Sequence, residues 1–276
     1  MARVLILSSF VAASRVGGGA QALALARLGI EPILVPTVLY GRHPGHGPPG
    51  GQAVEPEVFE AMLGGVEAQG LFGDINAVIT GHFSSAEQVA IAAEALTRVK
   101  RAARACCVIV DPIMGDADRG LYVREPVAEA LAAELVPEAD ILSPNAWELA
   151  RLSGRPVTDP ASAVAAARTL GRPVLVSSLE TEVGIGVAYV DAGEVWLAAH
   201  ASRAHAPKGA GDLLTAVFAA ALLQGNPDYV ALEFAVGAVA EAVEDAAPLA
   251  KNELSISTLP TTLTFSRRVT LSRLDV

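Results

Sequence analysis

Cysteine is nearly absent from this 276-residue chain: Cys106 and Cys107 are the only two, adjacent in an apolar run. Neighbours on a strand point to opposite faces, so the pair suits neither a disulfide framework nor a thiolate metal site, and two small core residues are expected. Charge is sparse, at 18% of residues, and basic side chains are outnumbered, 20 Lys and Arg against 30 Asp and Glu, giving a net charge of −10. Non-specific nucleic-acid binding depends on clustered Lys and Arg, so no nucleic-acid partner is expected. A nucleotide ligand stays open, because a few N–H groups at a helix start hold phosphate without net positive charge. Long apolar runs are also lacking. Val4–Leu7 follows Arg3 but stops at Ser8-Ser9, too short for a signal-peptide core, and no run is long enough to span a bilayer. No membrane partner and a reducing cytoplasm are the expectation. Several catalytic signatures are missing as well: GxxxxGK[ST], GxSxG and HExxH do not occur, and the GIG at 184–186 lacks the third glycine of a dinucleotide fingerprint.

What is present is apolar, 52% of residues, enough for a large core. Short β-type runs alternate with Ala- and Leu-rich helical stretches. Strands are expected at 4–9, 33–35, 77–80, 106–110, 140–142 and 174–177, with a hairpin over 185–190 and 195–199. Helices are expected at 17–28, 56–69, 85–100, 126–135, 146–153, 161–170, 211–223 and 229–244. Repeated β-α alternation implies a mostly parallel sheet covered by helices on both faces, one domain over 1–276, with ligands bound beyond the carboxyl ends of strands. The segment GRHPGHGPPGG over 41–51 is too rich in Gly and Pro for a helix. The tail from about residue 255 has no legible placement.

Three segments carry chemistry. In Pro207-Lys208-Gly209-Ala210-Gly211-Asp212, two glycines permit a tight turn and close approach, and a helix start supplies unpaired N–H groups and positive dipole potential. That combination can form an anion hole, with Asp212 at the first turn able to accept a hydroxyl proton. The competing reading makes Asp212 a plain helix N-cap. In Val110-Asp111-Pro112-Ile113-Met114-Gly115, a carboxylate ends a buried strand, either to hold Mg²⁺ through water or to cap a loop. In Ser143-Pro144-Asn145-Ala146-Trp147-Glu148, Glu148 is either the capping-box partner of Asn145 or an outer-sphere magnesium ligand. Lys208 could touch a phosphate; a solvated loop lysine is the alternative.

The order of these segments, strand–DPIMG, strand–SPNAWE, hairpin, then PKGAGD–helix, resembles the ribokinase-like superfamily, and within it the pyridoxal kinase family. The N-terminal half carries the narrower resemblance: Val4–Ser9, Val16-Gly17-Gly18-Gly19, Arg42–Gly47 at the family's Asn-His-Thr-x-Tyr-Gly position, and Thr80–Gln88 at its Gly-Tyr-Leu-Gly-Ser-Ala-Glu-Gln stretch. The likeness spans about residues 3–245. It implies a three-layer α/β fold, a short flap at about 38–52, and transfer of the ATP γ-phosphate to the hydroxymethyl group of pyridoxal. By the same resemblance Asp212 is the catalytic base, Gly209, Ala210 and Gly211 form the anion hole, and Asp111, Glu148 and Ser178 approach the nucleotide. Asp111 and Glu148 would also serve Mg²⁺, indirectly. Ser9, Thr37, His43 and His82 would line the vitamin pocket with Asp212. A monovalent cation such as K⁺ and a homodimer are further implications. Two departures bear on specificity: Pro44 stands where relatives have threonine, and His82 where they have tyrosine. Hydroxymethylpyrimidine kinase, and a vitamin- or nucleotide-binding protein without turnover, remain alternatives. His46 and His82 either supply polar contacts or are simply solvated.

Overall fold

The computed structural model describes residues 1–202, 207–246, 253–254, 256 and 259–275. Its strands are β1 (Arg3–Val11), β2 (Glu31–Tyr40), β3 (Gly51–Ala53), β4 (Ala77–Thr80), β5 (Cys107–Val110), β6 (Gly115–Asp116), β7 (Gly120–Leu121), β8 (Ile141–Leu142), β9 (Val174–Thr181), β10 (Gly184–Val190), β11 (Val195–His200) and β12 (Thr270–Arg273). Its helices are α1 (Gly17–Arg27), α2 (Pro56–Ala68), α3 (Ala86–Ala102), α4 (Glu125–Ala130), α5 (Ala146–Ser153), α6 (Pro160–Arg168), α7 (Ala210–Leu223) and α8 (Asp228–Ala246). None of the described helices is long and apolar enough to cross a membrane.

Ten strands form one sheet in the order β12-β11-β10-β9-β8-β5-β4-β1-β2-β3. The centre, from β2 through β9, is parallel; β10, β11 and β12 continue it antiparallel, and β3 returns antiparallel on β2. Strand periodicity divides the core in two. Leu5, Leu7, Val78, Val108 and Val176 face one side with Phe59, Leu63, Leu96, Leu131, Leu149 and Ala167 of α2 to α6 and the turn after α4. Val4, Ile6, Ile79, Ile109 and Leu175 face the other with Ala24, Leu213, Val217, Leu232 and Val236 of α1, α7 and α8. This is the three-layer fold that the β-α alternation implied. Cys106 and Cys107 fall into opposite cores, and burial pushes both thiols up, to about 12 and about 11.

Several elements differ from expectation, and β3, β6, β7 and β12 lie where no strand was expected. β2 runs from Glu31 to Tyr40, not 33–35; Pro32 and Pro36 shortened the reading. Both prolines are tolerated because β3 pairs only with Val38–Tyr40, leaving the earlier part of β2 with one strand neighbour. The segment over 41–51 contains a single 3₁₀ turn, Pro44–His46, opened by the His43 side chain. The tail past residue 259 supplies the edge strand β12 on β11, which no local pattern announced; Ser255, where the unplaced tail begins, lies outside the described residues.

Candidate active site

A cleft of about 390 Å³ opens at the carboxyl ends of the parallel strands. Asp111 enters it directly after β5, Asn145 and Glu148 from the start of α5, Gly209, Gly211 and Asp212 from the start of α7, and Ser9 from β1. The sequence scatters these residues over two hundred positions; the parallel sheet gathers them because every strand in its centre ends on the same side.

The start of α7 is built by glycine. Gly209 is the N-cap at φ +94°, and a Cβ there would lie 2.2 Å from the Arg15 carbonyl oxygen. Among the described residues no side chain caps the helix, so its first N–H groups, which have no partner within a helix, are left for another acceptor. Asp212 is therefore not the N-cap. Its Oδ2 accepts the Gly17 N–H at 2.8 Å, and its Oδ1 is shielded and has no hydrogen-bond partner among the described residues. Gly17 itself sits at φ +61°, where a Cβ would collide with Ser9 Oγ at 2.0 Å. Burial pushes the Asp212 carboxyl up to about 6, against the opposing Gly17 hydrogen bond. Ala210, the middle residue of the expected anion hole, packs against the core and does not line the cleft.

Asp111 is buried, and the nearest donor to its Oδ2 is the Thr215 hydroxyl at 3.4 Å, itself tied to Ser143 Oγ at 2.9 Å. Desolvation first, then the charges of Glu148 and Asp212, hold its carboxyl well above the usual range. Glu148 forms the capping box: Oε2 accepts Asn145 N–H at 2.9 Å and Asn145 Oδ1 accepts Glu148 N–H at 2.9 Å. Its other oxygen accepts Met114 N–H at 2.9 Å and Gly115 N–H at 3.3 Å, locking the DPIMG loop, while burial raises the acid to about 7. Ser178 lines the cleft at φ +63°, the one non-glycine in the left-handed region among the described residues. It lies on β9 where the register with β10 slips between Gly186 and Ala188.

Of the residues that the resemblance assigns to the vitamin pocket, Ser9, His43 and His82 line the cleft, together with Val11, Val38 and Tyr40. Thr37 does not. It is fully buried, and its hydroxyl donates to the His82 carbonyl at 2.6 Å. Apart from His82, the Thr80–Gln88 segment has the same supporting role: Gln88 Nε2 donates to the carbonyls of Thr37 and Val54, and Ser85 caps α3. His82 is half-buried in the cleft wall rather than fully solvated. Its Nδ1 is buried without a partner among the described residues, and burial pushes the ring down to about 4, so it is neutral. His46 instead faces Glu253 at 3.7 Å. Pro44 and Gly45 of the 41–51 segment line the cleft, as a covering flap would. Sequence reasoning missed Arg119 and Tyr122 in the lining, and the Gly17 amide that fixes Asp212. The DADRG turn after DPIMG was the available signal for Arg119.

A family model described as phosphomethylpyrimidine kinase matches residues 42–257. A pyridoxine/pyridoxal/pyridoxamine kinase of Bordetella avium is 39% identical over 234 residues, covering 80% of this chain and 78% of its own. A pyridoxal kinase PdxY of Pseudomonas entomophila is 31% identical over 266 residues, covering 92% and 91%. The crystal structure of pyridoxal kinase from Entamoeba histolytica superposes with a TM-score of 0.90 at 25% identity, over 99% of this chain and 100% of that one. A gathered set of strand-end carboxylates, a glycine-built helix start and relatives of this closeness have one consistent reading: the chain belongs to the pyridoxal kinase family.

Proposed function

We propose that this protein transfers the γ-phosphoryl group of ATP to the 5′-hydroxymethyl group of pyridoxal, and of pyridoxine and pyridoxamine, giving the 5′-phosphates and ADP. One observation carries the reading. Asp212 has one carboxylate oxygen fixed by the Gly17 N–H and the other without a protein partner, directly beside the open first turn of α7. The free oxygen is the proton acceptor for the substrate hydroxyl, and the neighbouring N–H groups with the helix dipole stabilise charge on the transferring group. A carboxyl raised to about 6 is ionised at neutral pH yet basic enough to take a proton.

The carboxylates also fit Mg²⁺. That ion keeps several waters and binds through one or two carboxylates plus substrate phosphates. Asp111, crowded by Glu148 and Asp212, gains from a nearby dication. Glu148, with both oxygens already accepting N–H groups, would act through water. When bound, the ion neutralises phosphate charge.

The competing substrate is hydroxymethylpyrimidine, favoured by Pro44, which has no hydroxyl to offer, and by the neutral imidazole of His82 in the lining. Losing one neutral hydrogen bond weakens binding by up to roughly tenfold, which raises KM without changing the identity of the substrate. Comparison of kcat/KM for pyridoxal, pyridoxine, pyridoxamine and hydroxymethylpyrimidine under one set of conditions tests this. Pyridoxal is expected to be preferred; a clear preference for the pyrimidine overturns the reading.

A further inference from the structure

The cleft lining holds four carboxylates, Asp111, Asp116, Glu148 and Asp212, against two permanently cationic side chains, Lys208 and Arg119. A triphosphate entering this site meets those two cations in addition to the N–H groups at the start of α7. Lys208 adjoins the anion hole in sequence. Arg119 arrives from elsewhere, the tip of the β6–β7 hairpin, where Asp116 Oδ1 accepts its backbone N–H at 2.8 Å and Gly120 turns the chain at φ +68°. It is exposed yet lines the cleft, so it stands at the rim. Its guanidinium lies against the flap: a Cβ built on Gly45 would be 3.5 Å from Arg119 Nη2. Among the described residues it forms no ion pair, as is also true of Arg15 and Arg42; what sets it apart is its place in the cleft lining. His43, between flap and cleft, is pushed toward its neutral form by burial first and then by Lys208, His46 and Arg119. The fields of the two cations therefore meet at one point of the site.

An arginine kept unpaired at the rim of an acidic cleft is placed for an incoming anion, and a planar guanidinium suits phosphate oxygens in particular. We propose that Arg119 is a phosphate-holding residue whose guanidinium engages the terminal phosphoryl group, on the nucleotide before transfer and on the phosphorylated vitamin after it, tying the hairpin to the flap while it does so. This rests on the kinase reading above.

The test is equilibrium binding of four compounds to the wild type, Arg119→Ala and Arg119→Lys at fixed Mg²⁺ and ionic strength: a non-hydrolysable ATP analogue, ADP, pyridoxal and pyridoxal 5′-phosphate. Arg119→Ala is expected to weaken the ATP analogue and pyridoxal 5′-phosphate by roughly tenfold or more, the worth of one charge-assisted hydrogen bond. ADP and pyridoxal, which lack that phosphoryl group, should change by less than about twofold, within the scatter of a surface substitution. Arg119→Lys should recover part of the loss, because it restores the charge without the fork. Loss confined to the nucleotide, or to the vitamin phosphate, overturns the proposal as stated, because one guanidinium holding the transferred group would be felt on both sides of the transfer. Unchanged binding of all four compounds overturns it, as does equal weakening of all four, which would mark a residue that merely orders the flap. A wild type that binds neither the ATP analogue nor pyridoxal overturns the kinase reading itself, a result separable from failure of the Arg119 proposal.

Discussion

Asp212 shows how a single side chain can be tuned by its surroundings at the expense of stability. Its folded-state value of about 6 lies above its ordinary 3.8, because burial disfavours the charge more than the Gly17 N–H favours it. Two expectations follow from that sign. With Asp212 as the proposed base, protonation below about pH 6 makes kcat/KM fall on the acid side with an apparent value near there. For stability, a raised folded value means a contribution that is complete below about pH 4 and lost as the pH rises through 6. Asp212→Asn keeps an acceptor for Gly17 N–H and never ionises. Its kcat should drop by roughly 10²–10⁴, while its thermal midpoint at pH 8 should exceed that of the wild type and converge with it below pH 4. Near wild-type turnover would remove Asp212 from the mechanism; a lower midpoint at pH 8 would mean the carboxylate is better compensated than its single hydrogen bond suggests.

Helix starts are the elements that make the site, and the two flanking it are built differently. α5 is closed by its capping box, so Glu148 has a structural duty whatever it does for a metal. Glu148→Ala leaves the N–H groups of Asn145, Met114 and Gly115 without their acceptor. A loss of about 2 kcal/mol or more is expected, since each buried unsatisfied donor costs about 1–3 kcal/mol. Denaturant titration measures that loss, and the Mg²⁺ concentration for half-maximal rate tells whether a metal role accompanies it: an unchanged value leaves capping alone. α7 is deliberately left open, and its two glycines are not equivalent. Gly209→Ala forces a side chain onto φ +94° and into the Arg15 carbonyl, so both stability and activity should fall, the first by roughly 1–3 kcal/mol. Gly211 has no neighbour within 4 Å of a built Cβ and an ordinary helical φ. Gly211→Ala should raise the thermal midpoint slightly, as alanine does in a helix, while raising KM for ATP by crowding the N–H face. A variant that binds ATP normally would show that this face is not where phosphate sits.

At the scale of the molecule, the two cores share one sheet, and residues adjacent in a strand belong to opposite cores. Melting either helical layer exposes one face of every central strand, so the chain is expected to unfold as a single cooperative unit. The two tryptophans report separately: Trp147 packs against the core of α2 to α6, and Trp196 against the core of α1, α7 and α8. Single-tryptophan variants should give the same urea midpoint and slope from fluorescence. Separate midpoints would divide the chain into two folding units.

Alternation of short apolar strands with helical stretches was local information, and it fixed the layers, the parallel sheet and the end of the sheet where a ligand lies. The glycine-flanked Asp212, the strand-end Asp111 and the SPNAWE cap were legible for the same reason: each depends on a handful of consecutive residues. Tertiary contact decided the rest. The family resemblance puts Thr37 in the pocket, but its hydroxyl turns to the His82 carbonyl, a partner 45 residues away. The acidity of Asp111 depends on Glu148 and Asp212, which reach it only when three strand ends align. Arg119 looks like any exposed loop arginine until the hairpin and the flap close on one cleft. A strand or a cap is set by short-range sterics and hydrogen bonding, which the sequence encodes directly, whereas electrostatic neighbours and cavity linings arise from residues far apart in the chain.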